Sequence, residues 1–317
     1  MKDNYIFKTD DLTLKVSKNY DHNKLALDKW EEYIERLCGN RYYQIDAIKN
    51  AIIYFGSGNY SSVEDLVLEN YQRNPVLQEK YNTINEYYDN IQLKNKLTAT
   101  IDLATGTGKS YIIFGVAQIM LGLGLVDKVL VLCPSTTIEA GLTEKFMQLL
   151  SDNNIQNLVP DDAIIKNPHL TNGNYTIKSG DVCIENIHAV YSNTGSSIED
   201  SFKNAHGNVL VINDEAHHIY NASIDKDLKK WKEFLLNDNY NFKYILCTLF
   251  SITKSPPTSG FLLMPVDSVL FPLLYFYSAF KLFARLVSKA AISGFPSIIH
   301  DNYRSITRRI NFHVQGS

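Results

Sequence analysis

Ala104-Thr105-Gly106-Thr107-Gly108-Lys109-Ser110 decides the fold. It follows the short apolar run Thr98–Leu103 and opens a stretch in which Ile112, Ile113, Val116, Ile119 and Met120 recur at helical spacing. A strand, a glycine-rich loop and a helix in that order form a phosphate loop. Gly106 and Gly108 let the backbone curl so that its N–H groups face a phosphate, and the helix N-terminus adds positive potential. Lys109 is placed to reach the β- and γ-phosphates of a nucleoside triphosphate, and Ser110 to ligate Mg²⁺. Thr105, Gly106, Thr107, Gly108, Lys109 and Ser110 are therefore the candidate phosphate-binding residues. The strict pattern has glycine where this chain has Leu103. A glycine-rich turn with a chance Lys-Ser is the plain alternative, and the strand and helix on either side argue against it.

Further along the chain, Lys128–Cys133, Asp181–Ile184, Asn208–Ile212 and Tyr244–Cys247 are short apolar runs, each set off by turn residues and helical stretches. Short buried strands alternating with helices predict an α/β fold, a parallel sheet flanked by helices on both faces. One of these strands ends in Asn213-Asp214-Glu215-Ala216-His217-His218. At the carboxyl end of a parallel strand, Asp214 can hold Mg²⁺ through water and Glu215 can polarise the water that attacks a γ-phosphate. The neighbouring histidines could instead suggest a metal site. They are adjacent, so they project in different directions, and the HExxH spacing of a zinc helix is missing.

Trp30, Tyr33, Ile34 and Leu37 follow helical spacing, a second helix is predicted from Tyr43 to about Phe55, and residues 61–97 read as helices over the surface. With 45% apolar and 21% charged residues, a globular core is expected. The net charge of −3 means that any nucleic-acid contact comes from a local patch and not from overall basicity. Cys38, Cys133, Cys183 and Cys247 are far apart with no CxxC pair, so reduced thiols in a cytoplasmic protein are expected, not a disulfide framework or a zinc site. No apolar run stands behind Met1-Lys2-Asp3-Asn4, so no secretion signal is expected.

These motifs together resemble the DEAD/DEAH-box helicases of superfamily 2, and most of all the motor subunit of type III restriction enzymes. Leu103–Ser110 resembles their motif I, Asn213–His218 their motif II, and Val129–Ser135 their motif Ia. The resemblance implies a RecA-like ATP-binding lobe over residues 98–250, behind a helical N-terminal region at 1–97. It implies ATP and Mg²⁺ as ligands, Lys109 and Glu215 as catalytic residues, and Ser110 and Asp214 as metal ligands. It also implies DNA as a partner, met by Pro134 and Ser135. Arg41-Tyr42-Tyr43-Gln44 resembles the adenine-reading element ahead of motif I, where Gln44 pairs with the base edge. The plain alternatives are a solvent-facing helix glutamine at Gln44, and at Pro134-Ser135 a strand-to-helix turn with an N-cap serine. Glu185-Asn186-Ile187-His188 stands where the family has a strand-end motif facing the strand groove, although His188 reads better as structural. For the complete family member the resemblance also implies restriction endonuclease activity, and as a partner a methyltransferase or specificity subunit.

The resemblance fades after Leu246. No Thr-Pro turn of motif III follows Cys247-Thr248-Leu249, and no Gln-x-x-Gly-Arg-x-x-Arg element of a second lobe appears downstream. Residues 251–317 are expected to be an atypical apolar tail, foreign to the motor. Pro265, Asp267 and Pro272 interrupt Phe261–Phe280, which argues against a membrane span there. Three functions follow in order of support. The first is the ATPase lobe of a DNA translocase from a restriction system. The second is a catalytically silent nucleotide- or DNA-binding fragment without the second lobe. The third is a membrane-associated ATP-binding protein. A GTPase is disfavoured, since no Asn-Lys-x-Asp element occurs.

Overall fold

The computed structural model describes residues 14–89, 95–103, 106–191, 197–203, 207–214, 233–240 and 242–249. Thr105, Glu215, His217, His218 and the whole stretch from residue 250 onward lie outside them. Every described residue belongs to the unit Met1–Ser268.

The apolar runs around the phosphate loop become a parallel sheet. Its strands are β1 Leu97–Asp102, β2 Lys128–Cys133, β3 His169–Thr171, β4 Asp181–Asn186, β5 Val209–Asn213 and β6 Phe242–Leu249, in the order β1-β6-β5-β2-β4-β3. Five of them are the expected ones. The sixth, β3, pairs in parallel with β4 at the sheet's edge, and it escapes notice in the sequence because His-Leu-Thr has no apolar run. β2 and β5 are buried almost throughout, as strands covered on both faces must be. Every pairing is parallel, so the carboxyl ends line one rim. Asp102 is level with Leu249, Asn213 with Cys247, Leu132 with Asn213, and Cys133 with Asn186.

Helices α1 Glu31–Cys38 and α2 Tyr42–Gly56 precede the sheet, and α1 is entered through a 3-10 turn at Leu27–Trp30. Residues 61–97, expected as surface helices, form α3 Val63–Arg73, α4 Pro75–Lys80 and α5 Ile84–Tyr88, which also bury Leu66, Leu77 and Tyr87. Their boundaries follow local chemistry. The Asn74 side chain accepts from Val76 N ahead of Pro75, and Thr83 Oγ1 accepts from Glu86 N.

The loop helix α6, Lys109–Gly122, is the centre of the packing. A single apolar stripe was expected; nearly every side of this helix is buried, because β2 lies against it along with α1, α2 and α7 Thr136–Ser151. Gly122 makes the close approach: a Cβ there would lie 2.3 Å from Trp30 Cζ2. Gln118, the buried polar residue of α6, is satisfied. It accepts from Tyr33 Oη at 3.0 Å and donates to Gln156 Oε1 at 2.8 Å, which ties α6 to α1 and to α8 Asn153–Gln156. The remaining helices are α9 Ile187–Tyr191 and α10 Ile198–Phe202. Among the described residues no helix is long and apolar enough to cross a membrane. All four cysteines are buried free thiols.

Candidate functional site

The rim at the carboxyl ends of the strands carries the candidate site. The chain leaves β1 and turns through Gly106 (φ 77°) and Gly108 (φ 79°), both left-handed, and α6 begins at Lys109. An L side chain at these φ values costs roughly 1–2 kcal/mol, so glycine is the residue that forms this curl. Lys109 is the first residue of α6 and is 9% exposed; Ser110 is the second. Both sit in the first turn of the helix, where backbone N–H groups can meet an anion.

Helix α2 backs the loop. Gln44 Nε2 donates to Thr107 O at 2.5 Å and Gly108 O at 3.3 Å, and Tyr43 Oη donates to Thr107 O at 2.9 Å. Gln44 is fully buried, which removes the solvent-facing alternative. Its Oε1 is buried with no hydrogen-bond partner. An orphaned acceptor of this kind costs about 1–3 kcal/mol and is the sort of atom a ligand donor relieves.

On the same rim, two strands from β1, Asp214 follows β5. It is 7% exposed, its N–H donates to Leu132 O at 2.9 Å, and its Oδ1 accepts from Thr248 Oγ1 at 2.7 Å. Next to it Asn213 Nδ2 lies 3.6 Å from Cys247 Sγ. Thr248 escaped the sequence reading, which looked for a Thr-Pro turn. The signal that could have found it is a hydroxyl at the carboxyl end of the strand beside the acidic one. Glu215 lies outside the described residues, one position beyond Asp214.

Pro134 and Ser135 follow β2 on this rim. Ser135 Oγ accepts from Ile138 N at 3.3 Å and caps α7, so the capping reading describes what the hydroxyl does here. In the Glu185–His188 segment, Glu185 accepts from Gly173 N and Asn186 N, and Asn186 Oδ1 accepts from His188 N. Those contacts are local and hold the end of β4.

The rim suits a Mg–nucleotide. Two left-handed glycines and a helix start present backbone donors, Lys109 adds a cation, and Gln44 offers the orphaned acceptor. Mg²⁺ typically takes one or two protein oxygens together with phosphate oxygens and water. Asp214 and Ser110 are such oxygens. Among the described residues no group of three or more His, Cys, Asp or Glu gathers to hold a metal by itself.

The comparison with known families fits this geometry. Residues 37–248 match the family described as type III restriction enzyme, res subunit. The chain belongs to that family. The match runs from the end of α1 to Thr248, so it takes in Gln44, the phosphate loop, Asp214 and the threonine that holds it. A res-subunit domain on this six-stranded sheet is a helicase-like ATPase motor lobe of a restriction system. No curated protein matches the chain.

Proposed function

We propose that this lobe binds Mg-ATP on the loop Thr105–Ser110 and hydrolyses it to drive a DNA translocase of the type III restriction kind. The observation that carries the reading is the placement of Lys109 and Asp214 on one rim of a parallel sheet, with the loop glycines already in left-handed conformation. In this reading Lys109 binds the β- and γ-phosphates and Gly106, Thr107 and Gly108 orient them by backbone donors. Ser110 and Asp214 hold Mg²⁺, which neutralises charge developing on the phosphate oxygens. Glu215 accepts a proton from the attacking water. Gln44 reads the base edge with its spare acceptor. Pro134 and Ser135 lie along the DNA backbone, with the Ser135 hydroxyl engaged in its cap.

The test is a thermal melt with and without Mg-ATP. Saturating ligand at a hundredfold excess over Kd stabilises by about 2.7 kcal/mol. The wild type should show that shift, Lys109→Ala should lose it, and double-stranded DNA should raise phosphate release by the wild type. An equal shift in Lys109→Ala would reject the loop as the site. Binding without DNA-stimulated release would leave a nucleotide-binding module in place of a motor.

A further inference from the structure

Beside the phosphate loop lies a cleft of about 350 Å³, lined by Arg36, Gly39, Arg41, Tyr111, Lys145 and Asp152 among others. It adjoins the loop directly. A Cβ on Gly108 would lie 3.3 Å from Tyr111 Cδ2 and 3.6 Å from Arg41 Nη1, on the side where Gln44 also stands. Three elements meet here: Arg41 precedes α2, Tyr111 is in the first turn of α6, and Lys145 comes from α7. The Arg41 guanidinium carbon and the Lys145 Nζ are each 4.6 Å from the Tyr111 ring centroid. Arg41 Nε also donates to Cys38 O at 2.9 Å.

Packing does not require this cluster. Helices α6 and α7 already meet through the buried rings of Phe114 and Phe146, 5.1 Å apart. Two cations gathered on one partly exposed phenol repel each other, which offsets part of what the ring contacts contribute. What it achieves is orientation. The Arg41 plane is fixed by Cys38 O on one side and by Tyr111 on the other, at the mouth of the loop and next to Gln44. Guanidinium planes stack on nucleobases, and a plane held in advance loses less freedom on binding.

We propose that Tyr111 and Lys145 are positioning residues for nucleobase recognition: Lys145 packs its ammonium on the Tyr111 ring, Tyr111 holds the Arg41 plane, and the base of the bound nucleoside triphosphate stacks there. The proposal rests on the nucleotide reading of the loop given above. The cleft's volume suits a base with its sugar and falls near the lower end for ligand pockets.

Binding of ATP and of inorganic tripolyphosphate, both with Mg²⁺, to the full chain tests it. Lys145→Met and Tyr111→Leu should each weaken ATP roughly fivefold to tenfold, the range that one cation–π contact commands. Tripolyphosphate, which has no base, should bind both variants as it binds the wild type. Lys145→Arg should restore most of the ATP affinity, and Lys109→Ala should weaken both ligands. Unchanged ATP affinity in Lys145→Met and Tyr111→Leu overturns the proposal. So does an equal loss for ATP and tripolyphosphate, which would place these residues on the phosphates or in the fold. If Lys109→Ala binds both ligands as the wild type does, or the wild type binds neither, the nucleotide reading itself fails and the proposal falls with it.

Discussion

Thr248 Oγ1 donates a 2.7 Å hydrogen bond to Asp214 Oδ1, and both side chains are buried at the carboxyl ends of neighbouring strands β6 and β5. A carboxylate that is to hold a metal must be kept from rotating before the metal arrives, and a hydroxyl on the adjacent strand does this. The same pair of strands is joined one residue earlier by Asn213 and Cys247. The end of the acidic strand is therefore pinned at two successive levels, and family membership ends on the residue that supplies the second pin.

Replacing that hydroxyl should be costly in proportion to its burial. Thr248→Val keeps the shape and removes a donor from a buried carboxylate, a loss of about 1–3 kcal/mol. Urea denaturation should show it, and Thr248→Ser should recover most of the loss. The Mg-ATP melting shift should shrink in Thr248→Val as well, because Asp214 is then freer to turn. Wild-type stability in Thr248→Val would show that the bond contributes nothing.

Gly108→Ala should damage the loop for two separable reasons. The residue sits at φ 79°, and its new Cβ would lie 2.6 Å from Gln44 Nε2. The left-handed conformation alone costs roughly 1–2 kcal/mol for alanine. Displacement of Gln44 also breaks its bonds to Thr107 O and Gly108 O. The variant should fold, lose some stability and lose the nucleotide-dependent melting shift. Adding Gln44→Ala should relieve the clash but not the backbone strain. A double variant that loses the sum of the two single effects would show that the two residues do not meet.

Much of this was legible from sequence, for identifiable reasons. Lys128–Cys133 and Val209–Ile212 are apolar runs because a parallel sheet buries both faces, and that pattern needs no tertiary information. The curl of the loop at Gly106 and Gly108 was legible because left-handed backbone demands glycine at fixed positions. β3 was not, since an edge strand of three half-exposed residues is specified by its neighbour β4 and not by its own side chains. The Arg41–Tyr111–Lys145 cluster was also out of reach: it joins three elements that only the folded chain brings together. Gln44 stands between these cases. Its resemblance to an adenine-reading residue was visible, while its burial and its grip on the loop were not.

The thiols should be inert in the folded protein. Burial pushes Cys38 and Cys247 up to about 12, and also raises Cys133 and Cys183 above the ordinary thiol value. A raised pKa means almost no thiolate near pH 8, and the thiolate is the reactive form. An aromatic disulfide reagent should therefore label none of the four before urea is added and all four after unfolding. Rapid labelling of any of them in native buffer would show that its strand or helix opens locally.

Glu215→Gln separates binding from chemistry. Glu215 follows Asp214 directly in the sequence and lies outside the described residues; the acidic motif makes it the proposed general base. The substitution keeps size and polarity but removes the carboxylate proposed to take a proton from water. General-base assistance is worth roughly 10²–10⁴ in rate. Mg-ATP should therefore still raise the melting temperature of Glu215→Gln by the wild-type amount, while DNA-stimulated phosphate release falls by that factor. Lys109→Ala differs in losing both, because its charge is needed before any chemistry begins. If Glu215→Gln loses the melting shift as fully as Lys109→Ala does, Glu215 belongs to the binding site and not to the water. If it releases phosphate at the wild-type rate, the base is another residue, and the acidic motif contributes its metal ligand alone.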